Sequence, residues 1–170
     1  KALISFGDVE AGELGGYIEK EENLSQAGDA WVSGNARVSD NARVSGDAWV
    51  SDNACVSGDA CVSGNARVSD NACVSGDAWV SDNTCVSGNA RVSDNAWVSD
   101  NACVSGDACV SGNARVSGDA WVSGNACYTT IKGFGREYRT TTFFKCKDGK
   151  VRVRCGCFYG DLKEFRAIVK

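Results

Sequence analysis

The chain has 170 residues and a net charge of −4, with 20 glycines and 10 cysteines but no proline, methionine or histidine. Without histidine, a cysteine nucleophile has no imidazole base beside it. No apolar run reaches 18 residues, so no segment is expected to span a membrane, and the lack of an initiator methionine predicts that Lys1 lies inside a longer gene product.

The charge is unevenly spread. Residues 1–27 hold two lysines against six acidic residues, residues 28–127 five arginines against twelve aspartates, and residues 128–170 eleven basic against four acidic residues. Two readings stay open: a solvated surface with aspartate at turns, or an acidic shaft with a basic end that seeks an anionic partner, including the acidic end of another copy.

Residues 1–27 read as an N-terminal capping coil. Ala2 to Phe6 predicts a short apolar strand and Leu14 to Ile18 a second, with turns at Gly7-Asp8 and Ala11-Gly12. Gly15 and Gly16 before Tyr17 imply a close backbone approach. Glu19 to Asn23 reads as a solvated charged stretch.

Residues 28–127 form a repeat. The hexapeptide Ala-x-Val-Ser-[Gly/Asp]-[Asn/Asp] runs from Ala30 to Asn125 in sixteen copies, and a seventeenth breaks at Tyr128. A six-residue period does not fit an amphipathic helix, whose apolar face recurs every three or four residues. Ala-x-Val instead reads as a three-residue strand with Ala and Val inward and x outward. Ser-[Gly/Asp]-[Asn/Asp] reads as a corner, because glycine, asparagine and aspartate tolerate positive φ. Strand and corner in unbroken alternation describe an all-β solenoid.

This pattern resembles the left-handed parallel β-helix family, with Val32, Val38 and Val44 in its aliphatic slot and Ala30, Ala36 and Ala42 in its small one. The resemblance implies a triangular coil of three hexapeptides, 18 residues per turn. The run would then make about five and a half coils, a rod of roughly 26 Å at ~4.8 Å per coil. Its end coils would expose strand edges, so caps are expected on both sides.

At that period the x residues fall on three faces. Face one carries Trp31, Trp49, Arg67, Cys85, Cys103 and Trp121; face two Arg37, Cys55, Cys73, Arg91, Cys109 and Cys127; face three Arg43, Cys61, Trp79, Trp97 and Arg115. Trp31 is expected over Trp49 and Trp79 over Trp97, and Trp49–Arg67 and Trp97–Arg115 as cation–π neighbours worth about 0.5–1 kcal/mol. Trp31, Trp49, Trp79, Trp97, Arg67 and Arg115 are therefore the candidate partner-binding residues, since exposed aromatics and arginines dominate binding hot spots. The competing reading is that aromatics on a ladder only stabilise neighbouring strands. The block Ser51–Ser69 recurs identically as Ser99–Ser117, 48 residues on, which is not a whole number of coils. Copies of it land on different faces, which speaks against a uniform ice-binding face. Stacked cysteines such as Cys55 and Cys73 have parallel Cβ vectors, a poor disulfide geometry, so free thiols in a reducing cytosol are expected.

Residues 128–170 read as a C-terminal β-hairpin plus short helix cap. Tyr128 to Ile131 predicts a last strand, Gly133 to Gly135 a loop, and Arg139–Cys146 and Val151–Cys155 a hairpin across Asp148-Gly149, with valines in and arginines out. Gly156 to Gly160 reads as a bend. Asp161 to Glu164 opens a helix with a capping box, and Leu162, Phe165, Ile168 and Val169 give its apolar stripe. The Cys155-Gly156-Cys157-Phe158 run and the stretch from Leu14 to Leu24 are similar to uncharacterised hexapeptide-repeat proteins of gut bacteria and their phages, a resemblance that implies a fold and a setting but no activity.

Many left-handed β-helix proteins are acyltransferases and some are carbonic anhydrases. Both use histidine, so neither activity carries over, and no catalytic residue or cofactor is expected. Cys146, Cys155 and Cys157 supply three thiols but no fourth zinc ligand, so no metal is expected either. The sequence points to a non-enzymatic structural or scaffolding solenoid that self-assembles end to end into filaments. The alternative is a phage or bacterial interaction module that binds a host protein through the Trp/Arg ladders or the basic cap. The expected setting is the bacterial cytoplasm or a phage, with an extracellular filament as the alternative. Nucleic-acid binding is disfavoured by the acidic shaft.

Overall fold

Each hexapeptide lays down one two-residue strand, formed by x and its valine, rather than the three-residue strand expected. The alanine belongs to the corner: its amide turns back onto the preceding serine carbonyl, as from Ala36 to Ser33 at 3.2 Å. The structure, a computed structural model, describes residues 1–118, 120–124, 127–134, 139–145 and 150–169; along 127–134, 139–140 and 144–145 it describes the backbone alone.

Strand β1 is Tyr17–Ile18. Strands β2 to β17 follow in order at Trp31–Val32, Arg37–Val38, Arg43–Val44, Trp49–Val50, Cys55–Val56, Cys61–Val62, Arg67–Val68, Cys73–Val74, Trp79–Val80, Cys85–Val86, Arg91–Val92, Trp97–Val98, Cys103–Val104, Cys109–Val110, Arg115–Val116 and Trp121–Val122. From β2 to β15 each strand pairs in parallel with the third one along the chain, giving three sheets and a coil of 18 residues, while β1 pairs with β3. Face one is β2-β5-β8-β11-β14-β17 and face three is β4-β7-β10-β13-β16. Face two begins with β1-β3-β6-β9-β12-β15. The amide of x donates to an alanine carbonyl one coil on, as from Arg37 to Ala54 at 2.9 Å, and the serine amide to a valine carbonyl, as from Ser39 to Val56 at 3.1 Å. The repeat's alanines and valines fill the interior with almost no exposure, so every coil finds its apolar partners in the coils next to it.

The corners hold the coils in register. The fifth residue of each hexapeptide is left-handed, with φ of 59–63° at the six aspartates from Asp40 to Asp100. That conformation costs an L-residue about 1–2 kcal/mol. Each aspartate offsets the cost with a bond to the next coil: the Asp40, Asp70, Asp94 and Asp100 carboxylates accept from the amides of Gly58, Gly88, Gly112 and Gly118 at 2.9–3.1 Å, and Asp52 and Asp82 from Asp70 and Asp100 at 3.3 and 3.4 Å. These aspartates are thus more than solvated turn formers. The sixth residue adds a second ladder, in which Asn35, Asn53, Asn71 and Asn89 each donate upward and Asp107 accepts the last bond.

One unit departs from the pattern. Thr84 occupies an inward alanine slot, is buried, and its Oγ1 has no hydrogen-bond partner.

Beyond the repeat, face two continues through β18 (Cys127–Phe134), β19 (Arg139–Lys145), β20 (Val151–Cys155) and β21 (Phe158–Asp161), and the chain then enters helix α1 (Leu162–Ile168). β18 is parallel to β15, and the rest is antiparallel. β18 runs past Ile131 through the expected loop at Gly133 and Phe134, because β19 is there to pair with it. The expected bend at 156–160 is mostly strand β21: the turn is confined to Gly156 and Cys157, with Gly156 at φ 58°. The Asp148-Gly149 turn and Cys146 lie outside the described residues. Asp161 caps α1 as expected, its carboxylate accepting from the Glu164 amide at 2.8 Å, and that bond lowers its pKa below the ordinary carboxylate value. The helical stripe is only partly used: Phe165 is buried against Phe143 and Phe158, while Ile168 and Val169 are exposed, since a seven-residue helix presents one turn to the sheet. In β20 only Val153 is inward, and Val151 is exposed at the strand's start.

Two substitutions test this account by thermal and urea unfolding. Gly64→Ala, whose new Cβ would lie 2.7 Å from the Asp82 amide nitrogen, should cost about 2–3 kcal/mol, against about 1 kcal/mol for Gly112→Ala, which has the same φ but, among the described residues, nothing within 4 Å of the new Cβ. Thr84→Val, which keeps the shape and removes the orphaned hydroxyl, should stabilise by about 1 kcal/mol.

Candidate functional site

The N-terminal end of the solenoid is closed by backbone hydrogen bonds. Gly16, Tyr17, Glu19 and Ser25 donate from their amides to the carbonyls of Val32, Ala36, Val38 and Val44 at 2.8–3.0 Å, so all three faces of the first coil are engaged. The glycine pair allows this approach: a Cβ on Gly15 or Gly16 would meet the Val32 or Ala36 carbonyl oxygen at 2.6–2.7 Å. The predicted strand at Leu14 to Ile18 is cut to β1 for that reason, since residues 14–16 lie flat across the coil end.

The stretch expected to be solvated hides the main polar anchor. Glu21–Asn23 is a 3-10 turn, and Asn23 is buried. Its Nδ2 donates to the carbonyls of Asp40 at 3.0 Å and Ala42 at 2.7 Å, and its Oδ1 accepts from the Lys20 amide at 2.8 Å. The predicted strand at Ala2 to Phe6 is absent. Phe6 makes only an isolated bridge to Val9, and Leu3 and Ile4 are exposed, because the segment closes on itself through Ala2 to Glu13 and Gly12 to Ala2 rather than pairing with a neighbour.

This loop changes the outward ladders. Ala2, Phe6 and Val9 fold over Trp31, which is buried, meets Phe6 edge to face at 5.5 Å, and leaves its Nε1 without a partner. Trp31 therefore offers no exposed surface, contrary to the expectation for face one. Trp49 shares its register, is half-buried, and donates from Nε1 to the Ser33 hydroxyl at 3.2 Å. Arg67 stands next to Trp49 on the ladder.

Face three is the open aromatic surface. Trp79 and Trp97 are exposed and stack at 5.4 Å with planes 15° apart, and the Arg115 guanidinium lies 4.7 Å over Trp97. Sequence reasoning passed over two residues. Asn23 carries no periodic signal. Trp121 does carry one: it is the last x on face one, so nothing in the repeat stacks above it, and it is 76% exposed with Nε1 donating to the Ser105 hydroxyl.

The exposed large apolar side chains fall mainly at the two ends. Leu3, Ile4, Leu14, Tyr17 and Ile18 lie at the N-terminal end, Trp121 lies on the last strand of face one, and Val151, Tyr159, Ile168 and Val169 lie beyond the repeat; the shaft contributes Trp79 and Trp97. Along the shaft an open groove on face two surrounds Arg91 between Cys73 and Cys109. Cys155 ends β20 and Cys157 lies in the turn that follows, so the two are not on one strand. Among the described residues, no group of three or more cysteines, aspartates or glutamates is placed to hold a metal ion, and no helix is long and apolar enough to cross a membrane.

The repeat matches the YdcK beta solenoid repeat family at residues 30–46, 36–52, 66–82, 86–100 and 108–124, each segment close to one 18-residue coil. No curated protein matches the chain. With the three parallel sheets, this match makes the chain a β-solenoid repeat protein.

Asn23→Ala should cost about 2 kcal/mol by leaving the Ala42 carbonyl buried without a donor. In a solenoid the loss stays local, so hydrogen exchange should accelerate at residues 36–44 and stay unchanged beyond residue 90.

Proposed function

We propose that this protein is a non-enzymatic scaffolding solenoid that associates end to end, the acidic N-terminal end of one copy meeting the basic C-terminal end of the next. The carrying observation is that exposed apolar side chains gather at both ends, where the sequence charge also has opposite sign. The joint is made by side chains rather than by continued strand pairing, because residues 14–25 already occupy the backbone of the first coil. A contact between different ends of identical chains does not close on itself and builds a filament. The coil is the left-handed triangular form that its hexapeptide resembles. The non-enzymatic reading is supported by the absence of histidine and by corner aspartates committed to bonds between coils. The cysteines whose side chains are described are free thiols, which supports a reducing bacterial or phage-infected cytoplasm.

Face three supports a second reading, in which stacked Trp79 and Trp97 with Arg115 take up a host protein.

Sedimentation and electron microscopy separate the two. Filaments should form at low salt and shorten as salt rises. Leu14→Asp and Trp121→Asp, each blocked at one end, should be monomeric alone and form a discrete dimer when mixed. A chain that stays monomeric at high concentration and low salt overturns the filament and leaves the Trp79–Trp97 surface as the reading to pursue.

A further inference from the structure

Three times on the outer faces the order Arg, Cys, Cys recurs at the coil spacing: Arg37, Cys55 and Cys73, then Arg91, Cys109 and Cys127, on face two, and Arg67, Cys85 and Cys103 on face one. Within the pairs Cys55–Cys73 and Cys85–Cys103 the thiols are free, half-buried and in register on adjacent coils. Burial first, and then the charge of the partner thiol, pushes Cys55 and Cys103 above the ordinary thiol pKa, so these two thiols hold their protons at neutral pH.

We propose that these stacked pairs are two-coordinate sites for a soft monovalent cation of the Cu(I) class. In-register neighbours on parallel strands stand about 4.8 Å apart. A disulfide needs its sulfurs at about 2 Å, on Cβ atoms that converge. A cation held in line between two thiolates, at about the 2.3 Å sulfur bond that zinc makes, needs sulfurs roughly 4.6 Å apart, close to the ladder spacing. Thiolates select soft ions. Zinc requires four ligands, and no group of three or more donors is present among the described residues. Each ion forms two sulfur–metal bonds while both S–H bonds break and two protons leave to solvent. The product carries one net negative charge. Arg37 and Arg91 bracket it at Cys55–Cys73, and Arg67 stands on one side of it at Cys85–Cys103. Face two should therefore hold its ion more tightly than face one. This site is independent of any contact between copies.

The test is anaerobic titration of the full chain with Cu(I) in competition with a chromogenic Cu(I) chelator, under a phosphine reductant, with stoichiometry read by native mass spectrometry. Cys73→Ala and Cys103→Ala should each lose one bound ion. Cys61→Ala should lose none, because its ladder neighbours are Arg43 and Trp79. All three positions face outward, so matching circular dichroism spectra show that the coil survives. Affinity should fall about a hundredfold per pH unit below neutrality, as two protons compete with each ion. Loss of an ion in Cys61→Ala equal to that in Cys73→Ala, or a wild-type stoichiometry that follows total thiols rather than pairs, overturns the proposal.

Discussion

The corner is the constraint on which the rest depends. A left-handed residue at every sixth position turns the chain between successive faces, and 18 residues bring each residue back over itself. Only glycine and a few polar residues accept that conformation. Aspartate does so here with its carboxylate bound to the next coil's amide, which converts a local strain into a link between coils. At glycine corners such as Gly64 and Gly76, the next coil's backbone fills the space a side chain would take, as Asp82 does above Gly64.

Exact stacking has a chemical consequence on the outside. Each x residue stands over the x residue 18 positions away, so residue type on a face becomes a column: tryptophan on tryptophan at 79 and 97, cysteine on cysteine at 55 and 73. Such columns put identical groups closer together than a random surface would. For tryptophan that means stacking, and for thiols it means that burial and then the neighbouring Cys73 raise the pKa of Cys55. The alanine–valine interior stays nearly invariant and carries stability, which leaves the outer positions free to vary.

A solenoid's two ends differ from its shaft because the stacking stops there. At the N-terminal end residues 14–25 supply the missing amides and Asn23 supplies a side-chain substitute for a rung. At the C-terminal end, among the described residues, face two alone runs on, as an antiparallel sheet backed by Phe165, while β16 and β17 are the outermost strands of their sheets. The ends are therefore chemically distinct, and the apolar and charged side chains gathered at them set the terms on which another copy is met.

The sequence by itself determined the solenoid, and with the three-hexapeptide coil that its family resemblance implies, the ladder neighbours of the outward repeat residues. A repeat without insertions leaves no freedom in the count, so Trp79 over Trp97 and Arg115 beside Trp97 were legible from spacing. The capped start of α1 was legible too, because a capping box is a local signal. Tertiary structure alone decided what the non-repeating segments do. Trp31 occupies an outward position like any other, yet it is buried, because residues 2–13 close on themselves above it. Asn23 sits in a charged run and becomes a buried anchor only when Asp40 and Ala42 present their carbonyls from another coil. Both outcomes depend on contacts between stretches that share no period, and periodicity is the only long-range information a repeat sequence carries.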